Sequence, residues 1–340
     1  MVAARARHIL VLGAGSAGKR HLRNFSALGC PVSAVDPRPE RLAEAMNLVP
    51  LIQAFAEMEA ALSSGVRYDG VVVCSPPSFH ASQVLAALQA GLPLYLEKPP
   101  SPDAASCKRL VDAWRQTGVA LLMGYTYRWW PPLLDLKARL AAGAVGRVRH
   151  IRGIMSAHLA DWHPWEHYQD FYMASQTLGG GALLDESHLL DLLLWFFGMP
   201  AEVFGRVERL SALDIETDDH VDAWLAFPGG RRALLHLDLY GRPHERALTI
   251  TGEEGTLHWS VDPNRLRFGR AGEQTWEDTT YTCERNDMFV SAAREFLDVI
   301  GGTRTLSCSI ADGYAVLRVI EAIRQSSATG RAVRLEAADV

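Results

Sequence analysis

Through the first third of the chain, short apolar runs alternate with stretches whose apolar residues recur at helical spacing. Residues 9–12, 32–35, 71–74, 94–96 and 120–123 have strand length, and 17–28, 40–46, 55–62, 78–90 and 104–116 read as helices. Alternation of this kind predicts a parallel sheet with helices on both faces. It ends near Gly124, after which come a helical stretch at 133–142, a run rich in Trp and His, and an apolar helical stretch at 182–197. From 201 to 268 the texture changes. Runs at 202–207, 221–227, 233–240, 247–251, 256–260 and 266–268 are separated by Gly229-Gly230, Gly241, Gly252 and Asp262-Pro263-Asn264. Such runs predict a largely antiparallel sheet, with 148–155 as its first strand and helices at 287–300 and 310–325 closing the chain. The expected fold class is α/β: a doubly wound parallel sheet over 1–124, then an α+β domain over 125–340 with a large, mainly antiparallel open sheet.

Composition narrows the class without changing this architecture. A chain of 340 residues is more than one core ordinarily organises, and 48% hydrophobic with 21% charged residues is globular. Lys and Arg number 34 against 39 Asp and Glu, a net charge of −5, so the basic field that draws nucleic acid or an anionic membrane is missing. Cys30, Cys74, Cys107, Cys283 and Cys308 are widely spaced with no C-x-x-C pair, which suits a reducing compartment. The basic N-terminus leads into a short apolar run ending in a glycine turn, so no export signal is expected. The most apolar stretch, 181–197, is interrupted by Asp185, Glu186, His188 and Asp191, which argues against a membrane span. The expectation is a cytoplasmic protein with neither nucleic acid nor membrane as partner.

The candidate chemistry sits first at strand ends. Directly after 9–12, Gly13-Ala14-Gly15-Ser16-Ala17-Gly18 opens a helix, and Asp36 ends the next apolar run. Gly13 permits a tight turn, Gly15 lets the backbone approach a pyrophosphate, and Gly18 allows close helix packing. The helix N-terminus at Ser16 and Ala17 favours the anion, and Asp36 accepts hydrogen bonds from an adenosine ribose. A lone G-x-G-x-x-G is weak, but strand, glycines and acid together make the first domain a Rossmann-type NAD(P)-binding domain. The Asp36 carboxylate repels a 2′-phosphate and favours NAD, whereas Arg38 is spaced to pair with that phosphate and keeps NADP open.

Two further strand ends carry Cys74-Ser75-Pro76-Pro77, followed by His80, and Glu97-Lys98-Pro99-Pro100. Ligands gather at the carboxyl ends of parallel strands, so Ser75, Pro76, Pro77, His80, Glu97 and Lys98 are expected along the cofactor. His80 also has a plainer reading as a helix N-terminal residue, and Cys74 reads as a buried small hydrophobe. Lys98, in the ligand crevice and followed by proline, is a catalytic candidate, with Glu97 positioning its loop.

These motifs carry a resemblance. The chain resembles the glucose-fructose oxidoreductase, inositol dehydrogenase and MocA (Gfo/Idh/MocA) family, in the glycine motif running into Lys19-Arg20-His21, Ser75-Pro76-Pro77 with His80, Glu97-Lys98-Pro99, and Gly124-Tyr125-Thr126-Tyr127-Arg128. Further on, Gly179-Gly180-Gly181-Ala182-Leu183-Leu184-Asp185 precedes His188 and Asp191, and residues 326–330 fit the family's ending. The resemblance implies an NAD(P)-dependent oxidoreductase of sugars or cyclitols, with Lys98 as the motif lysine and Asp185 with His188 as its partner pair. It also implies a homodimer or homotetramer through the sheet of the second domain.

The chemistry is consistent with that set. Oxidising a secondary alcohol requires a base for the hydroxyl proton and a cation for the developing alkoxide as hydride leaves for nicotinamide C4. Many family members separate the Asp and His by three residues; here only Glu186-Ser187 intervene, and both spacings keep the two side chains on one helical face, with Lys98 as the other candidate for the principal proton-transfer group. Between His158 and Tyr172, the residues Trp162, His163, Trp165, His167, Tyr168 and Tyr172 fit a carbohydrate pocket of stacking faces and polar groups; an aromatic core is the other reading. Tyr127 and Arg128 are further candidates for substrate contact. Arg128 is suited to an anionic substituent or to a salt bridge, and Asp191 to orienting His188 or capping a backbone group. No spacing among His163, His167, Asp185 and His188 forms a zinc signature, so no metal is expected. Two other functions remain: a redox-neutral glycosidase that uses transient C3 oxidation and elimination, and a dinucleotide-sensing regulator without catalysis. The presence of Lys98, Asp185 and His188 argues against the regulator.

Overall fold

In the computed structural model, which describes residues 5–162 and 166–336, the apolar runs of the first third become a six-stranded parallel sheet. The elements are β1 (Ile9–Leu12), α1 (Ser16–Ala27), β2 (Val32–Val35), α2 (Pro39–Leu48), β3 (Leu51–Phe55), α3 (Met58–Leu62), β4 (Gly70–Val73), α4 (Pro77–Gln89), β5 (Leu94–Leu96), α5 (Ala104–Thr117) and β6 (Leu121–Met123). Strand order is β3-β2-β1-β4-β5-β6. Every residue of β1, β2, β4, β5 and β6 is buried, as strands covered on both faces must be. The order reverses between β1 and β4, which makes the loops after those strands the ligand crevice of an open α/β sheet. The edge strand β3 has no counterpart in the apolar pattern. Its residues Ile52, Gln53 and Ala54 are exposed, so it forms by pairing with β2 and not by burying a face.

The rest of the chain supplies α6 (Pro131–Ala141), β7 (Val148–Ser156), α7 (Ala182–Asp185), α8 (His188–Phe197), β8 (Glu202–Glu208), β9 (His220–Ala226), β10 (Arg232–Asp238), β11 (Glu245–Gly252), β12 (Gly255–Ser260), β13 (Arg265–Arg270), β14 (Trp276–Thr280), α9 (Arg285–Ile300), α10 (Ile310–Thr329) and β15 (Val333–Arg334). A nine-stranded sheet runs β14-β13-β12-β11-β7-β10-β9-β8-β15. All its pairs are antiparallel except β7 with β10. Strict alternation governs its centre. Val221, Ala223 and Leu225 in β9 and Ala233, Leu235 and Leu237 in β10 are buried, while Asp222 and Leu234 between them are exposed. One face therefore joins the core, and the other is open.

The chain divides into a first unit of Met1–Thr126 with Arg285–Tyr314 and a second of Tyr127–Glu284 with Ala315–Val340. A single cut after Gly124 assigns α9 to the second domain, but α9 packs within the first. Its Phe296 ring meets Phe25 and Tyr95 edge-on, at centroid distances of 6.2 and 6.1 Å. Helical periodicity identifies an apolar face without stating which core receives it. A second difference concerns residues 182–197, which the pattern predicts as one helix. The structure breaks it after Asp185, and a new helix starts at His188.

The packing of α9 yields the first prediction. Phe296→Ala should lower the stability of the first unit by about 3–5 kcal/mol, the usual cost of emptying a buried aromatic site. Urea unfolding followed by loss of NADH binding reads this out. A midpoint equal to that of the parent protein would contradict the placement of α9.

Candidate active site

The first unit builds a loop fitted to an anion. At Gly13 the backbone has φ +89°, and a Cβ there would lie 2.8 Å from the Ser75 nitrogen; at Gly18 it would lie 1.7 Å from the Gly13 carbonyl oxygen. The turn thus exists only with glycine at both places, and it brings the ends of β1 and β4 together. Helix α1 has Gly15 as its N-cap and no side-chain cap, which leaves its first turn suited to a phosphate. Asp36, 3% exposed, accepts hydrogen bonds from the backbone N–H of Ala14 at 2.8 Å and of Arg38 at 3.0 Å. Its carboxylate is thereby fixed beside the glycine loop. The Arg38 guanidinium lies 3.8 Å from it. Sequence reading passed over Arg41, whose guanidinium lies 3.0 Å from the position of a Gly15 Cβ. Its only signal was its place in the first turn of α2.

At the end of β5, the Glu97 carboxylate meets His21 Nε2 at 2.7 Å. Burial alone would push the Glu97 pKa up, but the His21 hydrogen bond and the charges of His21, Lys98 and Arg20 carry it below the ordinary value. Glu97 thus anchors the loop that presents Lys98. His80 bridges the two loops expected along a cofactor. It is 1% exposed, and its two ring nitrogens lie 2.9 Å from the Pro99 carbonyl oxygen and 2.8 Å from that of Ser75. The ring is committed to holding the Lys98 loop against the Ser75 turn, while burial pushes its pKa down against those hydrogen bonds. Burial, and then the charge of Glu97, push the Cys74 thiol well up, which suits a packing role and not a nucleophile. Ser75 donates its hydroxyl to Gln83 at 2.6 Å.

In the second unit the triple glycine prepares a different set of groups. Gly181 has φ +110°, and a Cβ there would lie 2.3 Å from Asp218 Oδ1. With that space clear, Asp218 Oδ2 accepts the Leu183 N–H at 2.8 Å and secures the first turn of α7. Asp185 closes α7, 5% exposed, and receives a 2.5 Å hydrogen bond from the Tyr172 hydroxyl. His188 opens α8, and its ring stands edge-on to Tyr127 at 4.9 Å. Asp185 and His188 do not belong to one continuous helix as expected, because Glu186 and Ser187 separate two helices.

Arg246 belongs to this cluster and was missed in the sequence. Its side chain, 18% exposed, lies 3.8 Å from Glu186. Electrostatic interaction with Tyr127, opposed by burial and joined by the charges of Glu186 and Asp185, holds its pKa above the ordinary arginine value. The signal was present in β11: Arg246 shares the phase of Leu248 and Ile250, both wholly buried. A cation in phase with core residues marks a polar site.

Of the two readings of Arg128, a substrate anion or a salt bridge, the structure shows the salt bridge. Arg128 is 5% exposed and forks onto Asp191, with Nε 3.0 Å from Oδ2 and an Nη 2.7 Å from Oδ1. Its guanidinium is thus taken up by a buried ion pair. In the aromatic segment, Tyr172 reaches Asp185, whereas the Tyr168 hydroxyl accepts the Asp214 N–H at 3.2 Å. Trp162 is half-buried and His167 exposed. His163 and Trp165 lie outside the described residues. Among the described residues no helix is long and apolar enough to cross a membrane.

One unit with a parallel sheet and an anion-binding glycine loop, and a second α+β unit with an Asp, His, Tyr and Arg cluster, define the class of dinucleotide-binding oxidoreductases. Two family models specify it. One described as "Oxidoreductase family, NAD-binding Rossmann fold" matches residues 7–125, and one described as "GFO/IDH/MocA C-terminal domain" matches 133–258. The chain belongs to the Gfo/Idh/MocA family. It is 27% identical to an inositol 2-dehydrogenase of Acidothermus cellulolyticus over 349 residues, which cover 100% of this chain and 98% of that one. An inositol 2-dehydrogenase of Streptomyces avermitilis is 37% identical over 144 residues, a match that spans 41% of each chain. Among solved structures, levoglucosan dehydrogenase in complex with NADH superposes with a TM-score of 0.89 at 19% identity, covering 98% of this chain and 100% of that one. That likeness shows the fold.

The position of Asp36 gives a test of nucleotide choice. Fluorescence titration should find NADH bound more tightly than NADPH, and Asp36→Ala should shift the ratio of affinities towards NADPH by about tenfold or more, equivalent to about 1.4 kcal/mol. Tighter NADPH binding by the parent protein would show that Arg38 and Arg41 outweigh the carboxylate.

Proposed function

We propose that the protein is an NAD-dependent dehydrogenase that acts on a secondary hydroxyl of a sugar, sugar derivative or cyclitol. The observation that carries this reading is the polar cluster of Tyr172, Asp185, His188, Tyr127 and Arg246 in a chain whose first unit has a dinucleotide loop and a lysine at the end of β5. A bound nicotinamide would supply hydride acceptance at its C4. Gly13, Gly15, Ser16, Ala17, Gly18 and Asp36 would hold the dinucleotide by its pyrophosphate and ribose, with Ser75, Pro76 and Pro77 lining its further length.

In this mechanism His188 accepts the hydroxyl proton as the C–H bond is cleaved, and Lys98 donates a hydrogen bond to the oxygen as negative charge develops on it. Asp185, with one oxygen held by Tyr172, binds a neighbouring hydroxyl and favours the imidazolium that His188 becomes. Tyr127 provides an aromatic face beside that ring, and Arg246 sets a positive charge 3.8 Å from the Glu186 carboxylate. Trp162, His167 and Tyr168, the described members of the aromatic segment, would border the polyol. The relatives named inositol 2-dehydrogenase and levoglucosan dehydrogenase support polyols as the substrate class.

The open face of the nine-stranded sheet, where Phe204 and Leu234 are 37% and 47% exposed, supports assembly as a homodimer or homotetramer through that face. Five free cysteines support a cytoplasmic location.

A panel of hexoses, inositols, sugar acids and glycosides, followed at the NADH absorbance, tests the reaction. NADH should accumulate with a free polyol, and Lys98→Ala should lower turnover by more than about a hundredfold while NADH binding persists. Glycoside cleavage with no net change in cofactor would replace this reading with the redox-neutral glycosidase. Undiminished turnover in Lys98→Ala would remove the mechanism.

A further inference from the structure

The open face of the sheet carries a group of side chains that hydride transfer does not use. In the pairing of β9 with β10, Asp222 stands opposite His236 and His220 opposite Asp238. The Asp222 carboxylate lies between two imidazoles, with Oδ2 3.1 Å from His220 Nε2 and Oδ1 2.8 Å from His236 Nδ1. Each ring is held from its far side. His220 Nδ1 is 2.8 Å from the Tyr240 hydroxyl, and His236 Nε2 is 2.9 Å from Asp238 Oδ2. Asp238 is itself fixed: it is 2% exposed and accepts the backbone N–H groups of Tyr240 and Gly241 at 3.0 and 2.6 Å.

This is the arrangement that metal-binding histidines need. A ligating imidazole commonly passes its other ring nitrogen to a carboxylate or another fixed oxygen, which sets its tautomer and aims its lone pair. Here both far nitrogens are so engaged, and both near nitrogens converge on one carboxylate. The ligand atoms of His220, Asp222 and His236 all lie within 4.8 Å of one another. Bonds of about 2.0–2.1 Å in a tetrahedron place ligand atoms about 3.3 Å apart, so the site accepts an ion with small shifts. Those shifts fall on Asp222, whose side chain is 62% exposed, while the histidines stay braced. Asp222 and His236 also line a cavity of about 650 Å³, bordered by Arg152, Phe204, Arg206 and His258 on the face proposed for assembly, which leaves room for water as a fourth ligand and lets an ion enter the single chain before subunits associate.

We propose that His220, Asp222 and His236 form a binding site for a divalent transition-metal ion of the zinc type, which ties β9 to β10 on the open face of the sheet. The donor set of two imidazoles and one carboxylate suits zinc and disfavours calcium or magnesium, which take oxygen ligands. The site uses none of the groups assigned to hydride transfer, so it stands or falls apart from that reading.

Metal-stripped, untagged full-length protein titrated with zinc chloride in a calorimeter tests the proposal. The expected result is one zinc per chain with micromolar or tighter affinity. Asp222→Asn and His236→Gln should each weaken it by at least about tenfold, and substitution of the exposed His244 by Ala should leave it unchanged. Asp222→Asn keeps the size of an exposed side chain while exchanging one of its two imidazole-facing oxygens for an amide nitrogen, and an unchanged urea midpoint of the metal-free variant assigns a lost affinity to the ligand and not to the fold. Absence of stoichiometric binding, or an affinity that survives both substitutions, would overturn the site and leave a hydrogen-bonded His–Asp–His chain.

Discussion

The buried ion pair of Arg128 with Asp191 is the interaction on which the second unit's polar cluster depends. It is one of two adjacent contacts that join the same two segments. Arg128 forks onto Asp191, and its neighbour Tyr127 meets His188, which lies one helical turn before Asp191. The salt bridge fixes the direction of α8, and the aromatic contact fixes the ring at its first residue. Both charges are almost wholly removed from water, with side-chain exposures of 4% and 0%. Removing one partner would leave the other buried and uncompensated, so the pair constrains geometry more than it adds net stability.

The break between α7 and α8 takes its meaning from this clamp. A continuous helix would place Asp185 and His188 by periodicity alone. With the break, Asp185 is placed by Tyr172 and by the Asp218-capped turn that Gly181 permits, whereas His188 is placed by Tyr127 and by the anchored α8. The two groups are held from different directions. Arg246 completes the cluster from a third element, β11.

Much of this was legible in the sequence. The five buried strands of the first sheet, the glycine loop and Asp36 follow from apolar runs and turn chemistry, because such strands have few alternatives. The edge strand β3 was not legible, since three exposed residues leave no apolar signature and its pairing is set by β2. The membership of α9 was hidden for a related reason: periodicity reports a face and not its partner. Among the candidate residues, the chemical types of Lys98, Asp185 and His188 stood out in the sequence, but the helix break, the commitment of His80 to backbone carbonyls and the commitment of Arg128 to Asp191 are tertiary facts. Arg246 was readable in principle, as a cation in phase with Leu248 and Ile250, yet the motifs drew attention elsewhere. The His220, Asp222 and His236 group was unreadable, because only the pairing of β9 with β10 brings it together.

A double-mutant cycle on Arg128→Met and Asp191→Leu, read by urea unfolding of the second unit, tests the clamp most directly. Each single change is predicted to cost about 3–5 kcal/mol, and the double change to cost less than the sum of the two by at least about 2 kcal/mol, because no buried charge is then left unpaired. Costs that simply add would show that the two residues do not hold one another, and the account of how His188 is positioned would be wrong.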